Sequence, residues 1–473
     1  MIAPPRGPMF WPFLLGLPLL VWPAVLNGYP IVFSDTGTYL SQAIHLYAGW
    51  DRPVFYSLFM MALHWTLSTW PVVLAQAVIV IWLLDRARVA FFPAVPRVWL
   101  AVLLGVLSLT TGLPWLVSRL TPDLFTPLLV LALAILIFAP EALARREHAL
   151  LLLAALAMIL VHQSHVPLAI GLIALMLPLR RVLGARIRLG RAALASVLAL
   201  PAVALAMLSA VNFAAHGRIS PSPFGSVFLL ARVMYDGPGL RTLARECPRA
   251  GWRLCAHLDA LPGNSDDFLW RADSPLNRIG GAKVVADEAG AIILATVRSE
   301  PGAQLRAMLD NTLQQLRLFS PSDGLQSWTM TVSPWIARDF PGFEQRAYAS
   351  ARQDRGELSL PAWTELTDHV TSLLGLAGLL ALLLHAVPRG NPRAGLAVMV
   401  LLAVLGNAVI TGGLSGPHDR YQSRVMWLPA AIVLLALPGA GRWGLRAGRA
   451  AWRVSAADAW LSRRTQVRHH VVV

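Results

Sequence analysis

The chain has 473 residues, 56% of them hydrophobic and only 14% charged, with a mean hydropathy of +0.58 and a formal net charge of +15. A water-soluble chain carries about a quarter of its residues as charge, so an ordinary soluble protein is excluded and an all-α polytopic membrane protein is expected. The basic excess would suit a nucleic-acid binder, but the arginines sit in short clusters between apolar runs, as membrane orientation requires, and no nucleic-acid partner is expected.

The first apolar run, about 9–27, follows Arg6. It is too long for a cleavable signal, contains Pro12, Pro18 and Pro23, and lacks a small-residue cleavage site before Asn27, so an uncleaved first span is expected. A first outer loop, 28–69, comes next. It begins with the extended stretch YPIVFSD and continues as two helices, about Thr36–Gly49 and Val54–Ser68, read as lying along the membrane surface. Between them Asp51-Arg52-Pro53 reads as a turn with a local ion pair. Apolar runs at about 70–84, 98–117, 124–139, 149–161, 166–179 and 192–212 complete a seven-span module over 1–212.

Segment 213–368 is polar, rich in Pro and Gly, and expected to be a periplasmic domain inserted after the seventh span. Both cysteines, Cys247 and Cys255, lie in it. Their even count and close spacing in an oxidising compartment favour a disulfide over two reduced core thiols. Runs at about 370–387, 394–412 and 424–440 give three further spans over 369–440, about ten in all, before a basic tail at 441–473.

Orientation follows from arginine. With Arg6 inside, the inner connections carry Arg86, Arg88 and Arg97, then Arg145 and Arg146, five Arg between 180 and 191, Arg389 and Arg393, and seven in the tail. The short outer segments carry only Arg52, Arg119, Arg420 and Arg424. Both termini are therefore expected in the cytoplasm of a bacterium, with the chain in its inner membrane.

Several polar groups fall on the outer face. Asp35, in FSDTGTY, reads as a helix N-cap or as a general base. Asp123, in RLTPD, reads as an ordinary helix start or a second active-site carboxylate. His162 and His165 lie three apart in a short turn and could bind a metal or a phosphate; with no third ligand nearby, phosphate is favoured. The run Gly412-Gly413-Leu414-Ser415-Gly416-Pro417-His418-Asp419-Arg420-Tyr421-Gln422-Ser423-Arg424 offers flexible glycines for backbone approach to an anion and two guanidiniums to grip a phosphate. Its bland reading is a solvated turn with interfacial anchors.

This layout resembles the GT-C class of membrane glycosyltransferases, which use polyprenyl-phosphate sugars. Members have an early outer loop with an Asp and two surface helices, a seven-span module, then a long outer loop and variable further spans. The resemblance covers most of the membrane part by layout but only short motifs by residue, and the WWDYG-type signature of the oligosaccharyltransferases is missing. It implies a catalytic carboxylate at Asp35, a second acidic position at Asp123, and a donor-phosphate site at His418 and Arg420, with Arg424, His162 and His165 as further candidates. The function implied is transfer of a sugar from a polyprenyl-phosphate donor to a periplasmic acceptor, with Asp35 as general base. A metal-assisted variant would have Asp35 and Asp123 hold Mg2+ or Mn2+. The alternatives are a transporter or flippase of a lipid-linked or anionic solute, and a non-catalytic protein of envelope-polysaccharide assembly. A transporter calls for midplane polar residues and an inverted repeat, and neither is evident.

Overall fold

The computed structural model describes residues 10–185 and 189–438. The tail at 441–473 lies outside the described residues, as do Arg6, Arg186 and Arg188 of the orientation argument. The protein is helical. Among the described residues the only β-type pairing is a single parallel bridge between Ile31 and Arg119.

In chain order the first half comprises α1 (Phe10–Asn27), α2 (Thr36–Ile44), α3 (Phe55–His64), α4 (Trp70–Phe91), α5 (Trp99–Thr110), α6 (Leu113–Val117), α7 (Phe125–Phe138), α8 (Arg145–Leu160), α9 (His165–Leu179) and α10 (Arg191–His216). The polar segment contains α11 (Gly225–Tyr235), α12 (Pro238–Ala250), α13 (Ser265–Trp270), α14 (Pro275–Arg278), α15 (Ala282–Ser299), α16 (Pro301–Arg317), α17 (Thr329–Asp339) and α18 (Gly342–Ala349). The chain closes with α19 (Ala362–Ala386), α20 (Arg393–Leu414) and α21, over 419–438.

Among the described residues three helices are long and apolar enough, by length and composition, to cross a membrane: Arg191–His216, Ala362–Arg389 and Arg393–Leu414. The first two turn Leu198, Met207, Leu374 and Leu384 outward, and apolar faces of that kind are covered by lipid or a partner rather than water. The other apolar runs also fold as helices, but the expected span at 98–117 is broken. Thr111 is extended, α5 stops there, and α6 restarts beyond Gly112, whose N–H donates to the Asp368 carboxylate at 2.7 Å.

The core centres on α7. Every one of its residues, Phe125 to Phe138, is buried, because α4, α8, α9 and α20 pack around it. A helix apolar on all sides suits such a central position.

Segment 213–368 does not behave as one unit. A separate core, built on Phe224, Leu230, Leu243, Phe268 and Val285, holds α11–α15 together. The rest of the segment packs on helices outside it: α16 lies along α20, and α17 packs on α2. Glu344 of α18 accepts hydrogen bonds from the Tyr29 hydroxyl, the Thr69 backbone N–H and the Thr69 hydroxyl, all at 2.8 Å. Cys247 and Cys255 stand at disulfide distance, closing a loop at the edge of the separate core.

The cover provided by α17 changes the expectation for the first loop. Both loop helices are shorter than expected, and α2 is largely buried between α3 and α17 rather than lying open along a surface. Gly37 permits this packing, since a Cβ there would stand 1.9 Å from the Thr331 carbonyl oxygen. Gly37→Ala is expected to cost about 1–3 kcal/mol by overpacking, read as a lower melting temperature in detergent. An unchanged value would show that α17 can lift away freely.

Candidate functional site

The site is assembled from the first loop upward. Residues 29–33 are extended because they are clamped on both sides. Ile31 exchanges backbone bonds with Ser118 and Leu120, and the Gln353 side chain bonds both backbone groups of Val32 at 2.8–2.9 Å. The Thr36 hydroxyl then closes the first turn of α2, accepting from the Phe33 N–H and donating to the Leu120 carbonyl. Thr36 therefore ties the start of α2 to the extended segment and to Leu120, and Asp35 makes no side-chain cap bond.

Asp35 instead binds two guanidiniums. Arg52 Nη2 donates to its Oδ1 at 2.8 Å, and Arg420 Nη1 donates to its Oδ2 at 3.3 Å. Burial pushes the carboxyl up, but Arg52 and Arg420 outweigh it and hold Asp35 below its ordinary range. Arg52 is thus not in the local pair expected of its turn; it contacts Asp51 only at the backbone carbonyl, at 3.0 Å. The Asp51 carboxylate, 8% exposed, faces the same space. Burial raises it, Arg52 offsets part of this, Asp35 adds repulsion, and its pKa stands above the ordinary value.

Arg420 is oriented by stacking. Its guanidinium lies 3.9 Å from the Phe33 ring centroid and 4.9 Å from that of Tyr421, and Nη2 donates to the Tyr421 hydroxyl at 3.2 Å. The Arg420 backbone N–H donates to Asp323, and Arg119 donates to the Asp323 carbonyl at 2.7 Å. Arg52, Arg119 and Arg420 therefore gather around Asp35 and Asp323.

Asp123 and Arg424 form a layer behind. Arg424 Nη1 donates to Asp123 at 2.9 Å, its Nη2 donates to Ser164 at 3.1 Å and Asn407 at 2.7 Å, and the side chain is fully buried. Asn407 donates in turn to the Tyr421 carbonyl and to Gln422. This network ties the start of α7 and the α8–α9 turn to α20 and α21. Asp123 and Arg424 are thus paired with each other, and neither lines the cavity that Asp35 faces.

The two histidines lie ring against ring, centroids 5.1 Å apart, but have different partners. His165 is buried with both ring nitrogens engaged: Nδ1 donates to the Met158 carbonyl, and Nε2 accepts from the Thr126 hydroxyl, each at 2.6 Å. It is a core residue and not a phosphate ligand. His162 faces the cavity; its Nδ1 accepts from the Ser164 N–H at 3.1 Å, which leaves the proton on Nε2. Burial, with Arg424 nearby, lowers its pKa well below the usual value, so His162 is a neutral hydrogen-bond donor. Gly412 and Gly413 correct another expectation. They are helical residues of α20, and a Cβ on Gly412 would stand 2.6 Å from the Asn311 carbonyl oxygen of α16. They serve helix packing rather than an anion nest.

These side chains border a cavity of about 980 Å3. One end is lined by Asp35, Asp51, Arg52, His162, His418 and Arg420, and the wall continues onto Pro167 of α9 and Ile410 and Leu414 of α20. A divalent cation does not fit this donor set. Both Asp35 oxygens are taken by guanidiniums, Asp123 is paired with Arg424, and among the described residues no group of three His, Cys, Asp or Glu could hold a metal ion. Comparison of the chain with known protein families, curated proteins and solved structures finds no match in any of the three.

Proposed function

We propose that the protein is a glycosyltransferase of the bacterial inner membrane, moving a sugar from a polyprenyl-phosphate donor to a periplasmic acceptor. The observation that carries this reading is the convergence of Arg52 and Arg420 on Asp35 at the floor of a cavity whose wall runs onto apolar helices. A guanidinium has five N–H donors and matches phosphate geometry. Asp35 engages only part of each, so both arginines can hold a phosphate while remaining oriented. A phosphate carried on a lipid needs such a site where apolar helices border it, and Pro167, Ile410 and Leu414 supply that border. The about ten-span topology with cytoplasmic termini belongs to the same proposal. It is supported by the placement of Asp85, Arg86, Arg88, Arg97 and Glu147 in an ion-pair cluster toward the far end of α4 from the cavity.

In the reaction, the acceptor hydroxyl oxygen attacks the anomeric carbon from the face opposite the phosphate. The bond from that carbon to the phosphate oxygen breaks, and its electron pair stays on the phosphate, which Arg52 and Arg420 stabilise as charge develops. Asp35 is occupied in holding these arginines. The proton passes instead to Asp51, which lines the same cavity and whose carboxylate is not tied to Arg52, the guanidinium meeting only its backbone carbonyl. Polyprenyl phosphate leaves and the sugar is inverted.

The first test is donor binding. Arg420→Ala is expected to weaken binding of polyprenyl phosphate to the protein in nanodiscs by about tenfold or more, the worth of a charge-assisted hydrogen bond of about 1.5–3 kcal/mol. Binding of the corresponding polyprenol should not change. Equal affinity of wild type and variant for the phosphate would remove Arg420 from the donor site.

A further inference from the structure

An aromatic part of the lining adjoins the arginines and differs from them in chemistry. Its walls carry Phe228 and Trp270, from the body formed by α11–α15, and Trp328 and Trp335, from α17 and the residue before it. On the first wall Trp50 stacks on Phe228 at 5.4 Å and meets Trp270 at 5.7 Å, so these rings are braced in place. Trp270 nevertheless remains 47% exposed. On the facing wall Trp328 leans on Phe33 at 4.9 Å, and Trp335 on His45 at 5.7 Å. Between the walls stand polar groups that accept or exchange hydrogen bonds: Asp51, Asp266, Asp267, Gln326 and Thr331. Arg271, at this rim, is held by Asp273 at 2.8 Å and adds no net positive field.

Resting on the transfer reading, we propose that this aromatic part is the acceptor subsite and that the acceptor is a chain of neutral sugars. A sugar ring presents a patch of C–H bonds on one face and hydroxyls around its edge. An indole face, negative by its quadrupole, takes the C–H patch, while carboxylates and amides take the hydroxyls. Three carboxylates disfavour an anionic acceptor. A cavity of about 980 Å3 is at the upper end of the roughly 300–1,000 Å3 usual for one ligand, which leaves room for donor headgroup and acceptor together. Asp51 lines the same cavity and adjoins Arg52, whose guanidinium carbon stands 5.8 Å from the Trp270 ring. A hydroxyl held in the aromatic part is therefore delivered to the proposed base.

The test uses the full chain in nanodiscs on a printed array of neutral, amino-sugar and uronic-acid oligosaccharides, with oligolysine as control. Retention on neutral oligosaccharides is expected, weakened about tenfold by Trp270→Ala, as for truncation of a contact indole, and also weakened by Asp266→Asn. Both residues are exposed, so the variants keep the fold. Arg420→Ala should retain sugars as wild type does, which separates failure of this inference from failure of the donor reading. No sugar retained by wild type, retention of uronic acids alone, capture of oligolysine instead of sugars, or wild-type retention by Trp270→Ala would each overturn the proposal.

Discussion

Asp51→Asn is expected to lower turnover in glycosyl transfer by about 10²–10⁴-fold, the usual contribution of a positioned general base, while leaving donor affinity intact. The assay is transfer from labelled polyprenyl-phosphate sugar in membranes, with kcat and KM resolved. Asp35→Asn should behave differently. It loosens both Arg52 and Arg420, so donor KM rises and kcat falls together. Stability separates the two variants again. A carboxyl whose pKa is raised on folding loses stability as pH rises through the raised value, so replacing Asp51 by a neutral amide should leave the melting temperature unchanged or raise it. Asp35 has the opposite sign. Its pKa is lowered on folding, its pairs stabilise at neutral pH, and that contribution is lost as pH falls through the lowered value. Wild-type kcat/KM should accordingly rise with pH through a midpoint above the ordinary carboxylate range, and Asp51→Asn should remove that midpoint. Full transfer by Asp51→Asn at normal protein levels would return the proton to Asp35.

Arg424→Met is expected to be the most destabilising single change near the site, by about 3–5 kcal/mol, because it strands Asp123 as a buried, unpaired charge. Adding Asp123→Leu should restore much of the loss, since removing both members of a buried pair is far cheaper than removing one. Thermal unfolding in detergent reads both. If the double variant melted no higher than Arg424→Met, the contacts of Arg424 to Ser164 and Asn407, rather than charge pairing, would carry its effect.

What the sequence disclosed follows the range of the interactions. Helices such as α7 and α20 were legible because an unbroken apolar run has few other solutions. The importance of Arg420 and Arg424 was legible because they break a charge pattern that holds elsewhere. Arg52 and Arg119 break the same pattern, yet adjacent residues offered each an ordinary turn or helix start, and their real partners are distant in sequence. Asp35 and Arg420 are 385 positions apart. The burial of α2 could not be read, because its cover, α17, comes nearly 300 residues later in the chain. For the histidines, three-residue spacing suggested a shared helical face. The rings do lie together, 5.1 Å apart, but the spacing could not show that Thr126 and the Met158 carbonyl occupy both nitrogens of His165 while His162 borders the cavity. Segment 213–368 looked uniform in composition, but composition does not show that α16 has its partner in α20.

The Asp123–Arg424 pair also orders events in time. The two residues are 301 positions apart, and chains grow at about 5–20 residues per second. Asp123 therefore waits roughly 15–60 s between its own synthesis and that of its counter-ion. Through that interval the growing chain carries a carboxylate at the head of its most apolar helix with no guanidinium from α21 to meet it. The charge at the head of α7 is thus answered only after α20 has been made, and a ribosome that stops short of Arg424 releases a chain in which Asp123 lacks this partner.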